Sequence, residues 1–488
     1  MSRSAYIRLG GGLDLVTPPG EMAPGAALSC INYECPVTGG YRRIDGYTQQ
    51  GPVVPGEGPV LGVVTFADDT YAVRKDVGAN AATLYRLDTG TDAWVSIGAV
   101  HNGRHEFDEG NAYATEAGRA LYGVGGGKPF ELTASGTFTT LTNAPSGAKL
   151  IALHKNHLFL GFQAGSLQFS GIGEPSNWDA STGGAGEIGV GQRLTGLLRG
   201  VGGVLHVLCR DSVQTLRFTS ASDSVLDVTV PNTGARTYSC QSLMMPYFVN
   251  ERGITTLEAT QRYGDFTPLQ PSRTVEPLFV GDGLSSRVKA SAVSKSKAQY
   301  RVWFDNGTGL YMSGNGIGVV KFPHQVEVAH TGELSTGEER ILFGDSNGYV
   351  YRLDDGNTFN GEPIEAFLTL AFTDLKSPSV RKRFRRAFWD VRSGTDAQIA
   401  IQPDFGYGRN ETARPRREFI DYMLGGGLWG TSRWNEFVWS VPVLGQESMD
   451  ITGTDTSINF AIHSSSSGTS HEILGYDIHY DLRRQRRG

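Results

Sequence analysis

No apolar run in this chain is long enough to cross a bilayer, and Met1-Ser2-Arg3-Ser4-Ala5-Tyr6 leads into Gly10-Gly11-Gly12 without the apolar stretch of an export signal. The expectation is a chain made and folded in a cytoplasm, with no membrane insertion of its own. Cysteine is scarce, with four residues at Cys30, Cys35, Cys209 and Cys240. Only the first two lie close together, and no His or Cys beside them completes a zinc set, so reduced structural cysteines are expected. An excess of positive charge is lacking too. A net charge of −6 gives the whole molecule no electrostatic reason to grip nucleic acid or an anionic membrane.

Nucleotide and catalytic signatures are equally thin. Gly125-Gly126-Gly127-Lys128 looks like a phosphate loop, but Tyr122 stands at its first glycine position and Pro129 where Ser or Thr must bind magnesium. Gly314-Asn315-Gly316-Ile317-Gly318 follows a strand pattern without opening a helix, which excludes a dinucleotide fold. Ser470-His471-Glu472 are consecutive, and successive strand side chains point apart, so local geometry makes no triad of them. His154 and His157 read as opposite faces of one strand, which argues against a shared metal, and Ser464 to Ser467 interrupts the spacing of His463, His471 and His479. The reading is therefore no enzyme, no cofactor and no metal.

Glycine, by contrast, is abundant, at 65 of 488 residues, and in a chain with 10% aromatics this points to many turns between short strands. One phrase recurs. Leu84-Tyr85-Arg86-Leu87-Asp88-Thr89-Gly90, Phe130-Glu131-Leu132-Thr133-Ala134-Ser135-Gly136 and Val350-Tyr351-Arg352-Leu353-Asp354-Asp355-Gly356 each read as a strand end running into a turn. The first two lie one period of roughly 45 residues apart, and the third lies about five periods further on, the spacing of propeller blades. Looser strand ends near Phe169, Leu216, Leu257 and Tyr311 fill the gap, which predicts six or seven blades. Gly90, Gly136 and Gly356, with Asp88 and Asp354 ahead of two of them, are the expected blade turns, the glycines supplying positive φ. Asp354-Asp355-Gly356-Asn357-Thr358-Phe359 also follows the core of the Asp-box of sialidase-type propellers, a hairpin device whose carboxylate bonds turn amides.

The fold class expected is all-β, a propeller with a β-sandwich platform. Residues 1–55, dense in Gly and Pro with strand-like Ile31-Asn32-Tyr33-Glu34 and Tyr41-Arg42-Arg43-Ile44, read as an arm pairing with the platform. Residues 56–360 read as the propeller, with a hairpin at Asp305-Asn306-Gly307, and as a unit that would be soluble and monomeric alone. Residues 361–488 carry longer alternating strands, a section with Trp429, Trp434 and Trp439, and the basic end Arg483-Arg484-Gln485-Arg486-Arg487, and read as the sandwich. The sharpest charge feature is Arg381-Lys382-Arg383-Phe384-Arg385-Arg386-Ala387-Phe388-Trp389. Its basic residues, Arg381, Lys382, Arg383, Arg385 and Arg386, together with Trp389, are candidate inter-subunit contacts. Basic residues interleaved with aromatics also suit single-stranded nucleic acid.

An order of phrases then carries a resemblance: Gly39-Gly40-Tyr41-Arg42-Arg43-Ile44-Asp45-Gly46-Tyr47, Ser170-Gly171-Ile172-Gly173-Glu174-Pro175-Ser176-Asn177-Trp178, Ser212-Val213-Gln214-Thr215-Leu216, Glu251-Arg252-Gly253-Ile254-Thr255-Thr256-Leu257 and Tyr263-Gly264-Asp265-Phe266. The chain resembles the tail nozzle, or packaged-DNA stabilisation (tail hub), proteins of short-tailed bacteriophages. That resemblance implies a virion tail protein assembled in the host cytoplasm, a homohexamer below the portal and adaptor ring. Its partners would be tail fibre or spike proteins, and double-stranded DNA would pass non-specifically along its axis. It carries over no catalytic residues. The competing expectations are a propeller glycosidase and a receptor-binding propeller, both acting on host surface glycans.

Overall fold

The computed structural model describes the chain except for residues 1, 114, 116, 117, 201, 221, 222, 260–265, 394–396, 409–417, 423–442, 466 and 484–488. Trp429, Trp434, Trp439, most of the Tyr263 phrase and the basic end beyond Arg483 lie outside the described residues. Among the described residues no helix is long and apolar enough to cross a membrane.

Six antiparallel sheets of four consecutive strands follow one another, at 57–100, 106–140, 150–189, 194–231, 241–269 and 288–321. A seventh begins with Val326–Glu333, Glu339–Asp345 and Val350–Leu353 and takes its fourth strand, Tyr47–Gln49, from the N-terminal arm. These are seven blades of a β-propeller. Each blade is flanked by two others, so its inner strands are buried on both faces and read as continuous apolar runs. Leu150–His154 and Leu205–Cys209 are buried at every position. Outer strands meet solvent on one side and alternate, as Gly186–Gly189 does. The ring closes where Val326–Glu333 of blade seven packs beside Glu57–Phe66 of blade one.

The repeated phrases fall on equivalent elements. Strands Ala82–Asp88, Phe130–Thr133 and Val350–Leu353 are the third strands of blades one, two and seven, so five blade periods do separate the second copy from the third. Phe169, Leu216, Leu257 and Tyr311 lie on the third strands of blades three to six.

The turns after those strands are not equivalent. Gly136 and Gly356 have φ of +89° and +80°, whereas Gly90 is not left-handed, and Asp92 takes the positive φ of 49° in its turn. Asp88 shapes that turn by accepting from the Gly90 amide at 3.0 Å and the Thr91 hydroxyl at 2.8 Å. A Cβ on Gly136 meets nothing, and one on Gly356 meets only Thr48 at 3.7 Å, so the cost of a side chain there is conformational. Gly136→Val and Gly356→Val are each expected to lower stability by roughly 1–2 kcal/mol, and Gly90→Val by much less. Urea midpoints of the three variants check this.

His154 and His157 do not share a strand. They face each other across a two-residue turn at Lys155-Asn156, where φ is 47° and 62°. Directly opposed residues point to one face, which corrects the opposite-face reading. The His157 ring is held by the Ser170 carbonyl at 2.6 Å and by Phe218 at 4.9 Å.

The platform is a sandwich built from both ends of the chain. One sheet runs Tyr33–Glu34, Tyr41–Arg43, His471–Leu482, Lys382–Ser393, Val443–Asp455, with Ser2–Arg8 also paired to His471–Leu482. The other runs Ala27–Ile31, Ala366–Leu370, Ile458–Ser464, Ala397–Phe405, Glu418–Tyr422. Ala27–Ile31 also pairs in parallel with the last strand of blade six through Ile31 and Val319. Blade six and half the sandwich therefore form one sheet. Their apolar residues form one core, in which Tyr300, Val302, Leu310 and Met312 of blade six join Leu368, Trp389, Ile401 and Ile478 of the sandwich. The arm thus pairs with both bodies, and the boundary at residue 55 divides blade seven.

Candidate interaction site

Three features bear on function: a partly buried ion network between platform and propeller, the basic strand, and the propeller axis.

The network gathers Glu34, Arg42 and Asp45 from the arm, Lys297 and Arg301 from blade six, and Asp354 from the end of blade seven. Strand Gln299–Phe304 is buried throughout, so Arg301 has no route to water and must find partners inside. Its guanidinium lies 2.8 Å from Asp354, donates to Gln299 at 2.8 Å, and stacks 4.2 Å from the Tyr311 ring centroid. Lys297 reaches Asp45 at 2.8 Å, Asp354 at 3.1 Å and Glu34 at 3.2 Å. Arg42 completes the set on Asp45 at 2.7 Å and Glu34 at 3.3 Å. Three carboxylates therefore face three cations. Burial pushes the Asp354 carboxyl up, but Arg301 and Lys297 outweigh it and hold it at about 2. Burial likewise opposes the Lys297 charge, and Glu34 and Asp354 raise its pKa regardless.

Asp354 was expected to bond turn amides as an Asp-box carboxylate. Its oxygens instead meet Arg301 and Lys297, and its neighbour Asp355 accepts from the Thr48 hydroxyl of the arm. None of the other network residues stood out as a site in the sequence. The available signal was Arg301 itself, a cation between Tyr300 and Val302 in a buried strand.

Strand Lys382–Ser393 is central in its sheet, so its side chains divide between the sandwich core and the outer face. Trp389 is fully buried, 4.8 Å from Tyr476 and 4.9 Å from Phe460, so it is a core residue and not a surface contact. Lys382 is buried as well. Its ammonium donates to the carbonyls of Ser377, Thr456 and Val380 at 2.7, 2.8 and 3.0 Å, and burial lowers its pKa. Arg381, Arg383, Arg385 and Arg386 are exposed. Arg385 meets Asp481 at 2.8 Å, Arg386 meets Asp450 at 2.7 Å, and Arg392 further along meets Glu472 at 2.9 Å. Two of the row's four exposed arginines, Arg385 and Arg386, are thus paired within the chain.

A cavity of ≈ 410 Å³ lies on the propeller axis, lined by innermost strands of all seven blades. Arg104 crosses it, donating to the Glu327 carbonyl at 2.8 Å and stacking 3.6 Å from the Tyr238 ring centroid. Burial raises Asp108 to about 6 against the pull of Arg199, and its oxygens also accept from the Leu153 and Glu109 amides at 2.7 and 2.9 Å. Among the described residues no group of three or more His, Cys, Asp or Glu could hold a metal ion.

No family model matches the chain, and no curated protein matches it. Among solved structures, the chain is similar to virginiamycin B lyase from Staphylococcus aureus, at 12% identity and a TM-score of 0.42 over 63% of this chain and 99% of that one. It is similar to the WD40 propeller domain of Doa1 at 12% identity and 0.41, over 63% and 96%. It is similar to Raptor from Chaetomium thermophilum at 9% and 0.43, over 64% of this chain and 30% of that one. The blade count and the all-β class rest on the strand pairing of this chain.

Proposed function

We propose that this chain is a structural subunit of a short-tailed phage nozzle. In this reading it is a homohexamer below the portal and adaptor ring that lines the DNA exit channel and retains, then releases, the genome. Tail fibres or spikes would dock on its rim. The observation that carries the reading is the weld between platform and propeller, made of one continuous sheet, one shared core and a partly buried network of six charged groups. A conduit that bears the load of a packaged genome needs its ring-forming body and its propeller to move as one, and such a weld supplies that stiffness.

The pairing of Arg385 and Arg386 with carboxylates of the same chain agrees with a channel that must let DNA leave. A wall pairing many phosphates with free Lys or Arg would hold DNA by counterion release, with affinity falling steeply with salt. The assembled ring is expected to bind duplex DNA no better than roughly 10⁻⁴ to 10⁻⁶ M at physiological salt, measured by fluorescence anisotropy. A nanomolar, steeply salt-dependent affinity would replace the reading with a DNA clamp.

The glycan-acting alternative is favoured by one observation, the axial cavity with its raised Asp108. Against it stands the engagement of both candidate carboxyls: the Asp108 oxygens meet Arg199 and two amides, and Glu106, also raised by burial, lies 3.9 Å from Arg104. Electron microscopy of the purified chain, alone and with its portal complex, separates the readings. Sixfold rings are expected. A monomer or trimer that hydrolyses or binds capsular glycans would overturn the nozzle reading.

A further inference from the structure

We infer that copies of this chain join head to tail by strand addition, Ser2–Arg8 of one copy against Val443–Asp455 of the next. The inference rests on the ring reading above and names the surfaces that would build the ring. Part of the first platform sheet runs Ser2–Arg8, His471–Leu482, Lys382–Ser393, Val443–Asp455, each strand antiparallel to the next. Among the described residues the two outer strands are paired on one side only. With four alternating strands, the two edges run in opposite directions. A second copy placed beside the first in the same orientation therefore continues the antiparallel alternation across the junction. Repeating that operation gives a heterologous contact of the kind that closes into rings.

The edge Val443–Asp455 is thirteen residues long and contains no Pro, Lys or Arg, the residues by which exposed edges are usually blunted. Charge then selects the partner. Arg3 and Arg8 are the only charged residues on the first strand, and Glu447, Asp450 and Asp455 the only ones on the other. Arg3, Arg8, Glu447 and Asp450 are all exposed, although Asp450 also meets Arg386 at 2.7 Å and Arg8 the Thr38 carbonyl at 3.3 Å within the chain. Pairing either edge with its own copy would bring together two strands of one charge sign, which is unfavourable, whereas head-to-tail pairing brings a basic strand against an acidic one.

The test uses the full chain and mass photometry across a concentration series. Reversing the basic edge, Arg3→Glu with Arg8→Glu, is expected to weaken ring formation at least tenfold. Reversing the acidic edge, Glu447→Arg with Asp450→Arg, should do the same. An equimolar mixture of the two is expected to form rings again, because each acidic edge then finds a basic one. Rings that persist in both reversed chains, or a mixture that stays dissociated, would overturn the strand pairing and leave the ring reading standing. A wild-type chain that stays monomeric at every concentration would overturn both. As a check independent of charge reversal, an Arg3→Cys/Glu447→Cys chain treated with a short bis-maleimide should give a ladder of covalent multimers absent from wild type. Monomer alone would count against the pairing.

Discussion

Asp354→Ala is expected to cost roughly 3–5 kcal/mol, the range found when one partner of a buried ion pair is removed and the other is left behind. Arg301 is fully buried, and Asp354 is its closest carboxylate at 2.8 Å. Without it the guanidinium keeps two bonds to the Gln299 side-chain oxygen and the face of Tyr311, and Lys297 loses one of three acids. Urea unfolding at pH 7 should show the loss as a lower midpoint. The pH dependence gives a second reading of the same interaction. The folded pKa of Asp354, about 2, is depressed below the ordinary 3.8, so its contribution is present above pH 4 and is lost as the pH falls through about 2. The gap between wild type and Asp354→Ala should therefore be constant from pH 7 to about pH 5, shrink below pH 4, and go on narrowing through about pH 2 without closing, because the shift accounts for only part of it. A gap that is small at pH 7 would mean that the network contributes little to the weld.

Much of the propeller is legible in the sequence because a blade repeats. A third strand ending in Leu-Asp or Leu-Thr before a turn sets the period, and the period counts the blades. What is not legible is where the ring closes. Tyr47-Thr48-Gln49 stands more than 270 residues before the strands it joins, and nothing local distinguishes it from the rest of a Gly- and Pro-rich arm. The same holds for Arg381 to Trp389. A run of alternating cations and aromatics looks like a surface stripe, yet the strand lies mid-sheet, and the pleat sends Lys382, Phe384 and Trp389 inward and Arg383 and Arg386 outward. Lys382 is the instructive case, since three backbone carbonyls from two loops receive its ammonium, and no sequence spacing announces carbonyls. Gly90 differs from Gly136 and Gly356 for a related reason, because Asp88 and Asp92 take over the turn and leave the glycine without a steric role.

Removing the arm should undo the propeller rather than liberate it. Residues 56–360 keep three strands of blade seven and lose the fourth, so Val350–Leu353 becomes an unpaired edge beside blade one. They also lose Tyr47, whose ring is fully buried and lies 5.0 to 5.3 Å from Phe322, Phe343, Tyr351 and Phe359, with its hydroxyl 2.7 Å from His324. Glu34 and Asp45 leave with the arm, so Lys297 and Arg301 retain Asp354 alone among the three network acids. Each loss is of the kind that costs several kcal/mol, and together they are comparable to the roughly 5–15 kcal/mol that holds a typical domain folded. The fragment 56–360 is thus expected to aggregate or to melt without cooperativity, in contrast to the soluble monomer that the sequence alone suggests. In the full chain, Tyr47→Ala is expected to cost about 3–5 kcal/mol, while Tyr47→Phe, which keeps the ring and loses only the bond to His324, should cost about 1 kcal/mol. Calorimetry of the two variants separates packing from hydrogen bonding at the closure. If 56–360 instead melts as cooperatively as the full chain, the arm strand is an accessory to the ring and its closure lies in the contact between blades seven and one.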